Sequence, residues 1–134
     1  MQSFDWPVRV YYEDTDSGGV VYHANYLKFM ERARTEWLRQ LGFEQNVLKD
    51  EHNCLFAVHS MQINFRRPAR FNDALLIRSE MTQTSGASMQ FEQSVLRDGE
   101  LLCGASVRVA CLDALRFKPC PIPSFILTEM QCEC

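Results

Sequence analysis

Apolar and polar residues alternate with a period of two through Val8-Arg9-Val10-Tyr11-Tyr12, just after Pro7, the pattern of a half-buried strand. A longer period then takes over. Tyr26, Met30, Ala33, Trp37 and Leu41 recur at spacings of three and four, Phe29 and Leu38 widen the stripe, and Lys28, Arg32, Glu36 and Arg39 lie opposite. This predicts one long helix that begins near His23 to Asn25, with Asn25 as a capping residue, and stops at Gly42. From Asn25 to Leu41 it is roughly 25 Å long, enough to cross a sheet. A short second helix is expected around Asn46 to Glu51. From Leu55 the alternation returns, with Leu55, Ala57, His59, Met61, Ile63 and Phe65 on one face and Phe56, Val58, Ser60, Gln62 and Asn64 on the other. That places His59 on an apolar face, as a hydrogen-bonded core histidine. Arg66-Arg67-Pro68-Ala69-Arg70 ends the strand. Two more strands, Ala74 to Thr84 and Ser88 to Arg97, turn at Ser85-Gly86, and Asp98-Gly99 is a two-residue hairpin signal into a strand from Leu101 to Leu112. Pro119, Pro121 and Pro123 end the regular pattern before a short helix at Ser124 to Met130.

One strand, one long helix and four strands make an α+β chain, and residues 1–134 form a single domain without repeats or linkers. A helix stripe and a sheet face must bury each other, so an antiparallel β-sheet wrapped around one long central helix is the expected architecture. An edge strand and part of the outer sheet face stay uncovered, which predicts a dimer or larger assembly.

Composition narrows the chemistry. Apolar residues make up 46% and charged residues 23% of the 134, ordinary globular usage, and the apolar runs are too short to span a bilayer. Met1-Gln2-Ser3-Phe4-Asp5-Trp6 lacks a basic region followed by an apolar stretch, so the cytoplasm is the expected compartment. The net charge of −3 gives no global attraction for nucleic acid. The six cysteines include no C-x-x-C pair. Cys103 and Cys111 read as small core residues, and Cys132-x-Cys134 supplies too few ligands for a tetrahedral metal site.

The chemical residues concentrate between the first strand and the long helix, in Tyr11 to Tyr26. Asp14 and Asp16 with Gly18-Gly19 invite a calcium reading, which fails because Gly18 stands where an oxygen ligand belongs and Asn25 where the bidentate glutamate belongs. No paired histidines support a transition-metal site built from His23, Asp16 and Glu31. A carboxylate at the end of a strand can serve as nucleophile or general base, or simply as a loop cap. The helix start supplies its complement, because first-turn amides lack intrahelical acceptors and can polarise a carbonyl. Gly18 and Gly19 leave room for a substrate to approach the backbone. His23 would orient a substrate or hold the helix start. Arg66, Arg67 and Arg70 form the one concentrated basic patch, suited to phosphate oxygens or else a solvated turn.

The run from Val8 to Tyr26, followed by Phe29-Met30-Glu31-Arg32-Ala33-Arg34, closely resembles the hot-dog thioesterases of the 4-hydroxybenzoyl-CoA thioesterase family. Within it the run is most similar to the YbgC-type branch associated with the bacterial Tol-Pal system. The resemblance extends through Phe71-Asn72-Asp73 and the Asp98-Gly99 hairpin. It implies a hot-dog fold, dimers that join their sheets, and tetramers built from two dimers. It implies acyl-CoA thioester hydrolysis without a metal or other cofactor, with Asp16 catalytic and the helix-start amide at His23 polarising the thioester carbonyl. Gly19, Tyr26, Arg66, Arg67 and Arg70 are the substrate-contacting residues it suggests. His23 stands where the 4-hydroxybenzoyl enzyme has an aromatic residue, which implies short-chain acyl-CoA. Acyl carrier protein and phospholipid-synthesis enzymes are the implied partners, with a peripheral placement at the inner membrane. The competing class is a non-catalytic acyl-group or acyl-carrier-protein binding module.

Overall fold

The structure, a computed structural model, describes residues 3–131. Strands β1 (Ser3–Arg9), β2 (Cys54–Phe65), β3 (Ala74–Ser85), β4 (Ser88–Arg97) and β5 (Glu100–Asp113) form one sheet in the order β1-β3-β4-β5-β2, with every neighbouring pair antiparallel. Helix α1 (His23–Gln40) lies on its inner face, α2 (Gln45–His52) follows, and α3 (Ser124–Gln131) closes the chain. This is the expected α+β arrangement.

Tyr26, Phe29, Met30, Ala33, Trp37 and Leu38 of α1 are buried against Ile77, Met81, Phe91, Val95 and Val107 of the sheet. The Trp37 ring stacks on Phe4 and meets Phe91 edge-on. Gln93, 1% exposed, crosses this apolar interface. Its Nε2 donates to the Met30 carbonyl at 3.0 Å and to Ser79 Oγ at 2.9 Å, and its Oε1 accepts from Arg34 Nη1 at 2.8 Å. With its donors and acceptor satisfied, this group fixes where α1 sits on the sheet.

Most turns follow their residues. Asp98 (φ 51°) and Gly99 (φ 80°) make the left-handed pair that a tight hairpin requires, and Gly42 (φ 97°) stops α1. Cys103 and Cys111 are fully buried in β5. Cys132 and Cys134 lie outside the described residues. Among the described residues, no helix is long and apolar enough to cross a membrane.

Two expectations need correction. The first strand is Ser3–Arg9, not Val8 to Tyr12: Tyr12–Asp14 coil into a 3₁₀ turn because the Asp14 carboxylate accepts the Tyr11 amide at 2.9 Å, offering the backbone an alternative to the sheet. Pro7 is accommodated because β1 is an edge strand. His59 is exposed rather than core. A register shift between Val58 and Ser60 leaves His59 as the extra, unpaired residue of a bulge. Phe56 and Val58 before the bulge, and Met61, Ile63 and Phe65 after it, lie opposite Cys111, Val109, Val107, Ala105 and Cys103 of β5. One inserted residue thus reverses the parity of the strand.

Candidate active site

The segment between β1 and α1 folds as a small hairpin. Thr15 pairs with Val21, the Asp16 amide donates to the Val20 carbonyl at 2.9 Å, and the Gly19 amide donates to the Asp16 carbonyl at 3.1 Å. Gly19 turns the chain at φ 81°, where an L side chain is strained. Asp16 is exposed at the tip. Its Oδ1 accepts the Gly18 amide at 2.8 Å, which orients the carboxylate, and Oδ2 accepts no hydrogen bond from the described residues. A Cβ on Gly18 would stand 3.2 Å from Asp16 Oδ1, so glycine here keeps the carboxylate uncrowded.

The hairpin is tied down on two sides. On one, the Tyr22 amide donates to the Asp14 carbonyl at 2.8 Å, while the buried Asp14 carboxylate accepts the Tyr11 amide and, at 2.9 Å, Asn25 Nδ2. Asn25 is therefore not the helix cap. The cap position is Tyr22, which makes no side-chain capping bond, and Asn25 in the first turn clamps α1 to the hairpin. On the other side, the Val21 amide donates to the Ala69 carbonyl at 2.8 Å, and Val20 pairs with Arg70. The Ala69 amide in turn donates to the Tyr26 hydroxyl at 3.0 Å. Tyr26 is 3% exposed and its burial pushes the phenol up, so it is a strut between helix and loop rather than a wall open to a ligand.

Alanine at Asp14 strands the Tyr11 amide and the buried Asn25 carboxamide together. It is expected to lower unfolding free energy by about 2–4 kcal/mol, read by urea titration, and to weaken any activity that needs the hairpin in place.

The start of α1 faces this hairpin. The Asn25 amide bonds the Tyr22 carbonyl at 2.8 Å, and the amides of His23 and Ala24, at the first two helical positions, have no intrahelical acceptor. The exposed His23 ring packs on Tyr22 at 4.4 Å and edge-on to Phe65 at 6.5 Å. Tyr22 and Phe65 are 45% and 51% exposed, an apolar rim beside the helix start. Neither stood out as a site residue in the sequence. Phe65 is the last apolar residue of its strand, next to the arginines, and that position was the available signal.

Arg66, Arg67 and Arg70 do not share one patch. Arg66 lies beside Gln62, Asn64 and Glu92 on the outer sheet face, and Arg67 pairs with Glu100 at 3.2 Å. Arg70, through its backbone pairing with Val20, is the member of the trio that joins the hairpin. The amides of Arg66 and Arg67 both donate to the Leu102 carbonyl, at 2.8 and 3.1 Å, and the backbone bends at Arg67, which divides a trio that looks clustered in one dimension. Arg97 completes the surroundings, donating to Asp73 at 2.8 Å and to Glu100 at 3.3 Å. Partial burial pushes the Asp73 carboxyl up, but the Arg70 amide and the Arg97 guanidinium outweigh it and hold the carboxyl below its ordinary value. Among the described residues, no group of three or more His, Cys, Asp or Glu side chains is placed to hold a metal ion.

The hairpin thus carries an exposed carboxylate and leads straight into helix-start amides that lack intrahelical acceptors, chemistry suited to a carbonyl that must be polarised and attacked. Comparison with known proteins places the chain in a family. The family model described as the thioesterase-like superfamily matches residues 10–130. An acyl-CoA thioesterase YbgC from Haemophilus influenzae is 48% identical over 120 residues, covering 90% of this chain and 88% of that one. The acyl-CoA thioester hydrolase YbgC of Escherichia coli O157:H7 is 47% identical over 129 residues, 96% of each chain. Among solved structures, a probable thioesterase from Bartonella henselae superposes with a TM-score of 0.87 at 38% identity, covering 91% of this chain and all of that one.

Proposed function

From its place in the thioesterase-like superfamily, to which this chain belongs with a hot-dog fold, we propose that it hydrolyses acyl-CoA thioesters to the free acid and CoA. The observation that supports this reading is the hairpin, which carries Asp16 on one arm and leads into the start of α1 on the other. Thr15 pairs with Val21, Asp16 lies one residue up one arm and His23 two residues down the other. At about 3.3 Å per extended residue, their backbones stand on the order of 10 Å apart, room for a thioester and an attacking group.

The amides of His23 and Ala24 stabilise the oxygen as it becomes negative, and Asp16 either adds to the carbonyl carbon or takes the proton from an attacking water. The electron pair of the C–S bond leaves with sulfur, which is protonated to the CoA thiol. Tyr22, His23 and Phe65 form the apolar rim for the acyl group, and Gly19 lets the ligand approach the backbone. Arg70 is the arginine of the trio best placed for CoA phosphates, since Arg67 is neutralised by Glu100. Short-chain acyl groups are the favoured substrates on the strength of the residue at His23.

The assembly is a dimer joined along β2. That edge strand is twelve residues long and exposes Val58 and Phe65, an unpaired template for a second copy. Binding of acyl carrier protein and phospholipid-synthesis enzymes, at the cytoplasmic side of the inner membrane, belongs to the same reading and rests on the resemblance alone.

Thiol release from a panel of acyl-CoA thioesters, acetyl to palmitoyl with benzoyl included, tests the function after exhaustive chelation. Turnover with kcat/KM greatest on short aliphatic chains is expected. Absence of turnover on every thioester would leave the binding-module reading.

A further inference from the structure

Three of the described cysteines gather at the end of the sheet away from the hairpin, and thioester hydrolysis has no use for them. Cys111 is fully buried in β5, Cys54 begins β2 and lies against it, and Cys120 is half-buried in the tail. The tail runs back antiparallel to β5. Leu112 pairs with Pro119, the Asp113 amide donates to the Lys118 carbonyl at 2.8 Å, and the Cys120 amide donates to the Cys111 carbonyl at 3.0 Å. This register sets Cys111 and Cys120 opposite each other, joined by that one backbone bond, while the Cys111 amide donates to the Ala87 carbonyl at 2.6 Å. Opposed residues of an antiparallel pair have Cα atoms about 4.5–5.5 Å apart, inside the roughly 4.4–6.8 Å range that a disulfide spans. Their Sγ atoms are 3.6 Å apart.

We propose that Cys111 and Cys120 are a modification site at which a hydroperoxide forms a disulfide, fastening the C-terminal tail to β5. Burial pushes the Cys111 thiol well up, so it is not the first to react. Cys120 has the access. Its thiolate attacks the peroxide, the O–O bond breaks, and the products are a sulfenic acid at Cys120 and one molecule of water once a proton is taken up. Cys111 sulfur then attacks the sulfenic sulfur, the S–O bond breaks, and a second water leaves with the Cys111 proton. In sum, two thiols and one hydroperoxide, here hydrogen peroxide, give one disulfide and two waters. The two cysteine sulfurs are oxidised and the peroxide oxygens reduced.

The bond would lock a segment that already carries core residues. Beyond Cys120 the Ile122 amide donates to the Gly86 carbonyl at 3.2 Å, and Ile122, Ile126 and Met130 are buried. The position also predicts what the bond leaves alone. Phe65, on the rim of the proposed site, pairs with Cys103, whereas Cys111 lies eight residues further along β5 opposite Phe56, about 25 Å away.

The test treats the reduced full-length protein with one equivalent of hydrogen peroxide, alkylates the remaining thiols and maps peptides by mass spectrometry. The expected result is a Cys111–Cys120 peptide lighter by two hydrogens, with Cys54 still alkylated. It comes with a Tm raised by about 5–10 °C that dithiothreitol reverses, and unchanged thioester kinetics if that activity is present. Cys120→Ala, a half-buried position that should fold, is expected to abolish both the linked peptide and the Tm rise. Cys54→Ser is expected to keep both. Cys111 recovered as a free thiol beside over-oxidised Cys120, or Cys120 joined to Cys132 or Cys134, would overturn the proposal. Neither outcome depends on whether the protein hydrolyses thioesters.

Discussion

Replacing Asp16 by asparagine is expected to lower kcat for acyl-CoA hydrolysis by about a thousandfold or more while leaving the fold intact. Asparagine keeps the carbonyl oxygen that accepts the Gly18 amide, so the hairpin turn survives, and at an exposed tip the change in Tm should stay within about 2 °C. What is lost is the charge and basicity of the free oxygen. KM should move little, because the carboxylate acts on the reacting carbon rather than on the bound CoA. Stopped-flow thiol release, with thermal melts on the same samples, separates the two effects. A variant that melts like the parent and turns over within tenfold of it would remove Asp16 from the chemistry.

Proline at His23 is expected to lower kcat by about 10²–10³-fold, because it deletes one backbone donor together with the imidazole ring, and the donor carries the effect. His23 is the first helical residue of α1, where proline is accepted since its missing amide has no helical partner. The residue before it already fits: Tyr22 at φ −63°, ψ 135° has the extended conformation that a following proline demands. His23→Ala is the control. It keeps the amide and discards the ring, so a loss of less than about tenfold is expected if the backbone rather than the imidazole stabilises the oxyanion. Equal losses in the two variants would assign the role to the side chain.

The sequence showed periodic features well and pairwise ones poorly. α1 was legible from Tyr26 to Leu41 because a buried stripe repeats with the helical period, and the β4–β5 hairpin because Asp98-Gly99 admits few other turns. The end of β1 was not, since the Asp14 carboxylate that captures the Tyr11 amide leaves no trace in an apolar–polar pattern. His59 was misplaced for the same reason. A bulge is defined by the partner strand, and β5 is distant in sequence. At the site, Asp16, Gly19 and His23 stood out because they lie within one short turn before a helix. Asn25 was assigned to capping by its residue type, when its partner is the carboxylate eleven positions earlier. Tyr26 read as core by its spacing and as a substrate contact by the resemblance, and the bond from the Ala69 amide to its hydroxyl required the tertiary structure. The arginines looked like one patch because adjacency in the chain does not show the bend at Arg67, where two successive amides share the Leu102 carbonyl.

In the proposed mechanism the thioester carbonyl is held against the start of α1, facing Asp16. The most direct test is isotope-edited infrared spectroscopy of an acyl-CoA labelled with ¹³C at the thioester carbonyl and bound to the inactive Asp16→Asn protein. The expected result is a carbonyl band moved to lower frequency on binding, and a return toward the free position when His23→Pro is added. A bound carbonyl whose frequency matches that in water, and which ignores the proline, would contradict it.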